Sequence, residues 1–376
     1  QGAGTASLSG AVTLGSDSTI GVQTDGAFTI SGKVEAATFT TTIVATTTGD
    51  LTMNIATNDF NTVVITSGRD ITIKDADDIN FGNGAVSGNL NVTVVGTGAI
   101  TQTGATALSV NGSGKTATFD AQTANDITLN ESGNDFAKVV ITSGKDVTLR
   151  DTNAIDLGAS TVSATLSVTA GGAISDSGTL AVTGASTFLT QNNTAQSITL
   201  NETASTFGAI TARTLNAAGG TAVDGAITIV ENAAMAITTV ETANAAISLT
   251  TSGDIVISVA NTVIGTNTLT IQPLSTGGTI GVGAGATGTL NLDATDIAGL
   301  KDGFSSITIG RVDGTGLVTV GAITFTDPVT IRAGGATGDI TVSGAVATTG
   351  NTGVTLNAGQ AVTLNSTITT GNVTVV

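Results

Sequence analysis

Four acidic residues fall within a short stretch of this chain: Asp70, Asp75, Asp77 and Asp78. Carboxylate-rich turns can supply the oxygen ligands that Ca²⁺ takes, and a suitably spaced carboxylate pair is enough for glycoside hydrolysis. One repeat later, Asn153 and Ala154 replace Asp77 and Asp78, leaving Asp151 and Asp156. Such residues most often cap turns and solvate a surface, with a weak Ca²⁺ site and carboxylate-pair hydrolysis as the alternatives. Asp75, Asp77 and Asp78 therefore stand as weak calcium candidates beside a structural reading, with no EF-hand loop and no GGxGxD calcium repeat around them. No other cofactor is expected.

The rest of the composition closes most routes to chemistry. The sequence has no His and no Cys, which removes Ser-His-Asp, Cys-His and His-ligated metal sites and any disulfide framework. It has no Trp and no Tyr, and its 10 Phe fall mostly at patterned positions, so stacking platforms for sugars are scarce. The formal charge of −17 repels phosphate backbones, arguing against nucleic acid, and can attract divalent cations or keep neighbouring molecules apart. Arg69, Lys74, Lys145 and Arg150 read as isolated surface cations paired with nearby Asp, recurring on one side about four turns apart. The glycines from Gly281 to Gly288 lack the Lys-Ser/Thr of a phosphate loop. The Asn-x-Ser/Thr triplets at Asn91, Asn111 and Asn130 arise easily in a Thr-rich chain. No apolar run approaches the roughly 20 residues of a membrane-spanning helix. The chain opens at Gln1 without Met, which reads as a mature product or a fragment.

The elements that would hold these residues are repetitive. Asp50 to Gly82 returns as Asp126 to Gly158 at an offset of about 76 residues, and a degraded copy opens at Ser197. Within the repeat, apolar–polar–apolar triplets recur at Leu51/Met53, Ile71/Ile73, Leu90/Val92, Leu108/Val110, Ile127/Leu129, Val147/Leu149 and Leu166/Val168. Alternation along a strand turns each aliphatic pair inward and the middle Thr, Ser or Asn outward. The steps predict an all-β, right-handed parallel β-helix with about 19 residues per coil and about four coils per repeat, an elongated rod. Phe60, Phe136 and Phe207 form one expected core stack, and Phe39, Phe119 and Phe188 another. Asn54, Asn130 and Asn201 follow the inward pairs as turn formers. One outward Thr per strand, rather than a flat double row, does not suit an ice-binding face.

One continuous solenoid over 1–376 is expected, regular over 1–215 and less regular over 216–376. Later triplets include Ile227/Ile229, Ile247/Leu249, Leu269/Ile271, Leu290/Leu292 and Ile307/Ile309. The Ala-rich stretch from Ile229 to Ile247 leaves a helical turn open as an alternative. Asp293 to Phe304, with a cap-like Asp and apolar Ile297, Leu300 and Phe304, predicts a short helix near 293–304 leaning on the solenoid.

Several segments resemble the repeats of very large bacterial surface exoproteins of the filamentous-haemagglutinin type, exported by two-partner secretion or autotransporter routes. The resemblance rests on the repeated Asn-Asp-Phe followed by VVITSG, on Asn89 to Val94, and on Gly98 to Gly104. It extends to Gly303 to Arg311 and to Phe325 to Ile331. It implies a right-handed parallel β-helix at the cell surface serving an adhesive or matrix fibre, and it brings no catalytic residues. The expected function is a structural segment of a secreted adhesin or extracellular filament, not an enzyme. Its partners would be other copies or neighbouring parts of a larger chain, with a surface or host receptor beyond, and no membrane insertion. A β-helical polysaccharide-acting spike or lyase, and a surface-layer or sheath subunit, are the alternatives.

Overall fold

Small and β-branched residues favour stacked strands, because Thr, Val and Ile pack on a pleated surface and Gly lets turns approach closely. A computed structural model describes residues 4–22, 25–350 and 352–376, and Gln1 lies outside them. The chain is a parallel β-solenoid in each of two units, residues 1–184 and 185–376. Ala294–Gly299 is the one α-helix among the described residues, and it is too short to cross a membrane.

In the first unit, one ladder runs from Ala6–Leu8 through Asp50–Met53, Ile71–Asp75, Leu90–Val94, Ala117–Asp120 and Lys138–Ser143 to Ile174–Asp176. A second ladder runs from Ser18–Val22 through Thr40–Ala45, Thr62–Ser67, Ile79–Ala85, Ile100–Gln102, Ile127–Leu129 and Val147–Asp151 to Leu166–Ala170. Short third strands close the coils, among them Leu108–Val110 against Asp135–Phe136 and Ser160–Val162 against Leu180–Val182. From Asp50–Met53 onward the inward residues of the ladder strands are buried and their neighbours more exposed, as the alternation requires, while Ala6–Leu8 at the start is exposed throughout.

The rungs correct the expected repeat geometry. Leu51, Ile71, Leu90 and Ala117 are successive rungs of the first ladder. Ile127, the repeat equivalent of Leu51, stands part-way round the next coil and pairs in the second ladder with Ile100 and Val147. A repeat therefore spans roughly three and a half coils, not four, and successive copies exchange ladders. The spacing misleads because Leu108-Ser109-Val110, which looks like the start of a coil, is a closing third strand. The longer step from Leu90 to Ala117 accommodates it.

In the second unit, Ile198, Ile227, Ile247 and Leu269 are successive rungs, followed by Ile307, Val329 and Val354. The Ala-rich stretch is strand, not helix: Ile227–Glu231, Met235–Glu241 and Ile247–Thr251 carry it, with Met235, Ile237 and Val240 buried. Between Leu269 and Ile307 the coil swells to hold Ile280–Val282, Leu290–Leu292 and the helix. Asp293 caps the helix, accepting the Thr295 and Asp296 N–H groups, while Asp296 accepts the Asp293 N–H in return. Leu300 and Phe304 turn inward just beyond it.

Candidate functional site

The repeated Asn-Asp-Phe motif and the strand one coil later build the most elaborate polar arrangement of the first unit. Strand Ile71–Asp75 ends with Asp75 at an inward position, because alternation continues past Ile71 and Ile73. Its carboxylate accepts the Phe60 N–H at 3.1 and 3.2 Å and the Ala76 N–H at 2.8 Å. In the second copy, Asp151 accepts the Phe136 N–H at 2.6 Å and the Asn153 N–H at 2.8 Å. The second unit holds the same device with a longer acid: Glu231 accepts the Phe207 N–H at 3.0 Å. Each acid is essentially inaccessible and pins the backbone of a buried Phe in the adjoining coil. Asp327 near the helix does related work, accepting the Gly303 N–H at 2.9 Å.

Burial without a cationic partner raises these acids. Asp75 is pushed up to about 7, chiefly by loss of solvent and further by the Asp77 and Asp59 charges, against the pull of its two N–H donors. Asp151 rises to about 6 and Glu231 to about 7 for the same leading reason. One oxygen of Glu231, Oε2, and one of Asp327, Oδ2, are buried without a hydrogen-bond partner among the described residues. A protonated carboxyl is the form such surroundings favour.

The calcium candidates separate by exposure. Asp75 faces inward in its turn, while Asp77 and Asp78 are exposed and Asp78 accepts the Ala99 N–H at 2.6 Å. Burial and the Asp59 and Asp78 charges raise Asp77. Among the described residues, no group of three or more acidic side chains converges as a metal cage would require. The second copy relieves the repulsion seen in the first, since Asn153 Nδ2 donates to Asp135 at 3.0 Å where Asp77 would oppose Asp59. Asp70 caps a turn, accepting the Asn89 N–H at 2.7 Å, and Asp146 does the same for Thr165.

Arg69 pairs with Asp50 and Asp70, and Lys145 with Asp126 and Asp146, as equivalent constellations of the two copies. Arg69 holds Asp50 below the usual carboxylate range. The two cations do not share a side as expected, because the ladder exchange puts Arg69 before a first-ladder strand and Lys145 before a second-ladder one.

Phe60, Phe136 and Phe207 keep equivalent roles as buried rings whose backbone an acid holds, but the two expected stacks do not form: the ring contacts join Phe119 to Phe136 and Phe188 to Phe207, across the two sets. Phe119 lies in the first ladder, Phe39 is half-buried in a turn and Phe188 packs edge-on against Phe207 at 5.8 Å. Asn54, Asn130 and Asn201 are exposed after their strands. The buried amides are their neighbours Asn58 and Asn134, which pattern reading passed over. Asn58 Oδ1 accepts the Val34 N–H, and its Nδ2 donates to Met53 O and Lys74 O. Asn134 accepts the Leu108 N–H and exchanges hydrogen bonds with the Gln102 amide. Identity of Asn-Asp-Phe in both copies was the available signal, since a residue two places before an inward Phe takes the same side of an extended segment.

A family described as repeats of unknown function (DUF5649) matches residues 68–143 and again residues 144–214. The first match has the length of the repeat read from the sequence, and the second follows it without a gap. No curated protein and no solved structure matches the chain.

Proposed function

We propose that this β-solenoid repeat protein is a structural segment of a secreted or cell-surface bacterial adhesin or extracellular filament, a stiff scaffold for adhesion or matrix assembly. The observation supporting it most is where the chain spends its polar groups. The most buried acids and amides, Asp75, Glu231, Asp151, Asn58 and Asn134, pin backbone between coils, while many outward positions carry Thr, Ser and Asn. Parallel ladders give every coil two neighbours, so stiffness accumulates along the stack. On this reading the chain is not an enzyme and needs no cofactor. Its partners are other copies or neighbouring coils and a receptor at a cell surface, and its net charge of −17 keeps adjacent molecules apart and disfavours nucleic acid.

Electron microscopy of the purified chain, in calcium and then in chelator, tests the reading. Single rods of uniform length support a stalk segment, and ordered filaments or sheets support a matrix or surface-layer polymer. Compact particles would refute the scaffold role.

A further inference from the structure

The helix insertion breaks a ladder in the second unit and leaves a strand edge open. Strands Ile323–Phe325, Val346–Thr348 and Ile368–Thr369 form a small parallel sheet that starts at Ile323–Phe325. In the preceding coil the corresponding segment, at Leu300 and Lys301, bridges to Val263 on its far side. On its paired side the edge strand uses Ile323 and Phe325: the Ile323 N–H donates to Ala345 O at 3.0 Å, and the Thr349 N–H to Phe325 O at 2.9 Å. Parallel pairing then turns the backbone groups of Ala322, Thr324 and Thr326 the other way. Ala322 O is taken by the Ala284 N–H at 3.0 Å, and beyond that bridge the edge continues at exposed Thr324 and Thr326.

A groove of about 690 Å³ lies along this edge. The helix forms its wall with Ala294, Ile297 and Ala298, and Ala347 and Thr324 line the sheet side. The wall is fixed rather than loose. Asp296 Oδ1 accepts the Ile257 N–H at 2.8 Å, and the Asn261 and Thr262 N–H groups donate to Ala298 O and Gly299 O. Small side chains leave room for another backbone, and unpaired strand groups ask for one. Exposed Asp302 lines the same groove near the Thr326 end, beside Asp327, whose carboxyl burial and the Asp302 charge both raise.

We propose that this edge is a strand-addition site for an extended peptide of small and β-branched residues carrying a basic residue at the Asp302 end. Backbone pairing at Thr324 supplies the affinity, the shallow Ala-lined wall selects small side chains, and the acidic end selects a cation over an anion. The site is independent of the scaffold role above.

The test titrates the full chain into fluorescein-labelled five-residue peptides that alternate Val and Thr and carry Lys or Glu at either end, read by anisotropy. Saturable binding of the Lys peptides is expected, with Asp302→Asn weakening it about two- to fivefold, as for an exposed charge pair. Thr324→Pro, which removes an N–H that the native ladder does not use, should abolish binding. Ala298→Trp, filling the groove from the helix wall, should do the same and stands in if the proline variant does not fold. Absence of saturable binding by every peptide, binding that survives both variants, or equal binding of Glu peptides would overturn the proposal.

Discussion

Asp151→Asn isolates the effect of one buried acid on the stability of the solenoid. Burial lifts Asp151 from its ordinary 3.8 to about 6, so between these values the folded chain holds a proton that the unfolded chain releases. The stabilising contribution is complete below about pH 4 and is lost as pH rises through 6, because the unfolded state binds fewer protons across that window. A shift of this size corresponds to about 3 kcal/mol in total, falling by about 1.4 kcal/mol for each pH unit. Asparagine keeps the shape and cannot titrate, but it offers one acceptor where Asp151 serves the two N–H groups of Phe136 and Asn153. The variant should therefore be less stable than the wild type at acid pH by about 1–3 kcal/mol, the cost of an unsatisfied buried donor. Its pH slope should be shallower by about one proton, so the two curves converge towards neutrality. Urea unfolding followed by circular dichroism at about pH 4.5, 6 and 7.5 reads both quantities. Because surface repulsion in this acidic chain also grows with pH, the comparison of slopes is decisive, not the wild-type slope alone. Identical slopes in the two proteins would refute the raised acid, and a variant that loses stability with pH more steeply than the wild type would refute its sign.

Three further perturbations address other parts of the structure. Phe136→Ala removes a fully buried ring that meets Phe119 edge-on at 6.3 Å, and should cost about 3–5 kcal/mol in urea unfolding. Asn134→Leu leaves the Leu108 N–H and the Gln102 amide without their partner inside the coil, and should cost at least about 2 kcal/mol by the same measurement. Asp296→Ala removes the side-chain half of a reciprocal cap, the acceptor for the Asp293 N–H, together with the bond to the Ile257 N–H, while its own backbone N–H still reaches Asp293; hydrogen exchange should show lost protection at Asp293 and Ile257, with the rungs at Ile307 and Val329 unchanged.

How far the sequence carried this structure depends on what a repeat encodes. Alternation is a local property, so the inward placement of Leu51 and Met53, of Ile71 and Ile73, and of Val147 and Leu149 could be read directly. The cap at Asp293 was equally local. Coil closure is not local. Leu108-Ser109-Val110 satisfies the same pattern as a ladder strand, and only its pairing with Gly84–Ala85 and Asp135–Phe136 reveals that it ends a coil. That single ambiguity turned three and a half coils into four and set Arg69 and Lys145 on one side instead of two.

The acids failed to be read for a related reason. In Ile71-Thr72-Ile73-Lys74-Asp75, strand period alone assigns Asp75 to the interior, yet charge argued for solvent and the nearby Asp77 and Asp78 invited a surface site. The period was the stronger constraint, because moving Asp75 outward would carry Ile71 and Ile73 outward with it. A buried acid is tolerable there because two N–H donors meet it and because it can take up a proton. The same exchange of a charged surface for a pinned turn recurs at Asp151 and Glu231, where Phe136 and Phe207 supply the donors. Its retention in the degraded third copy, with glutamate for aspartate, argues that the hydrogen bond to the Phe backbone is what the position requires and that side-chain length adapts to it.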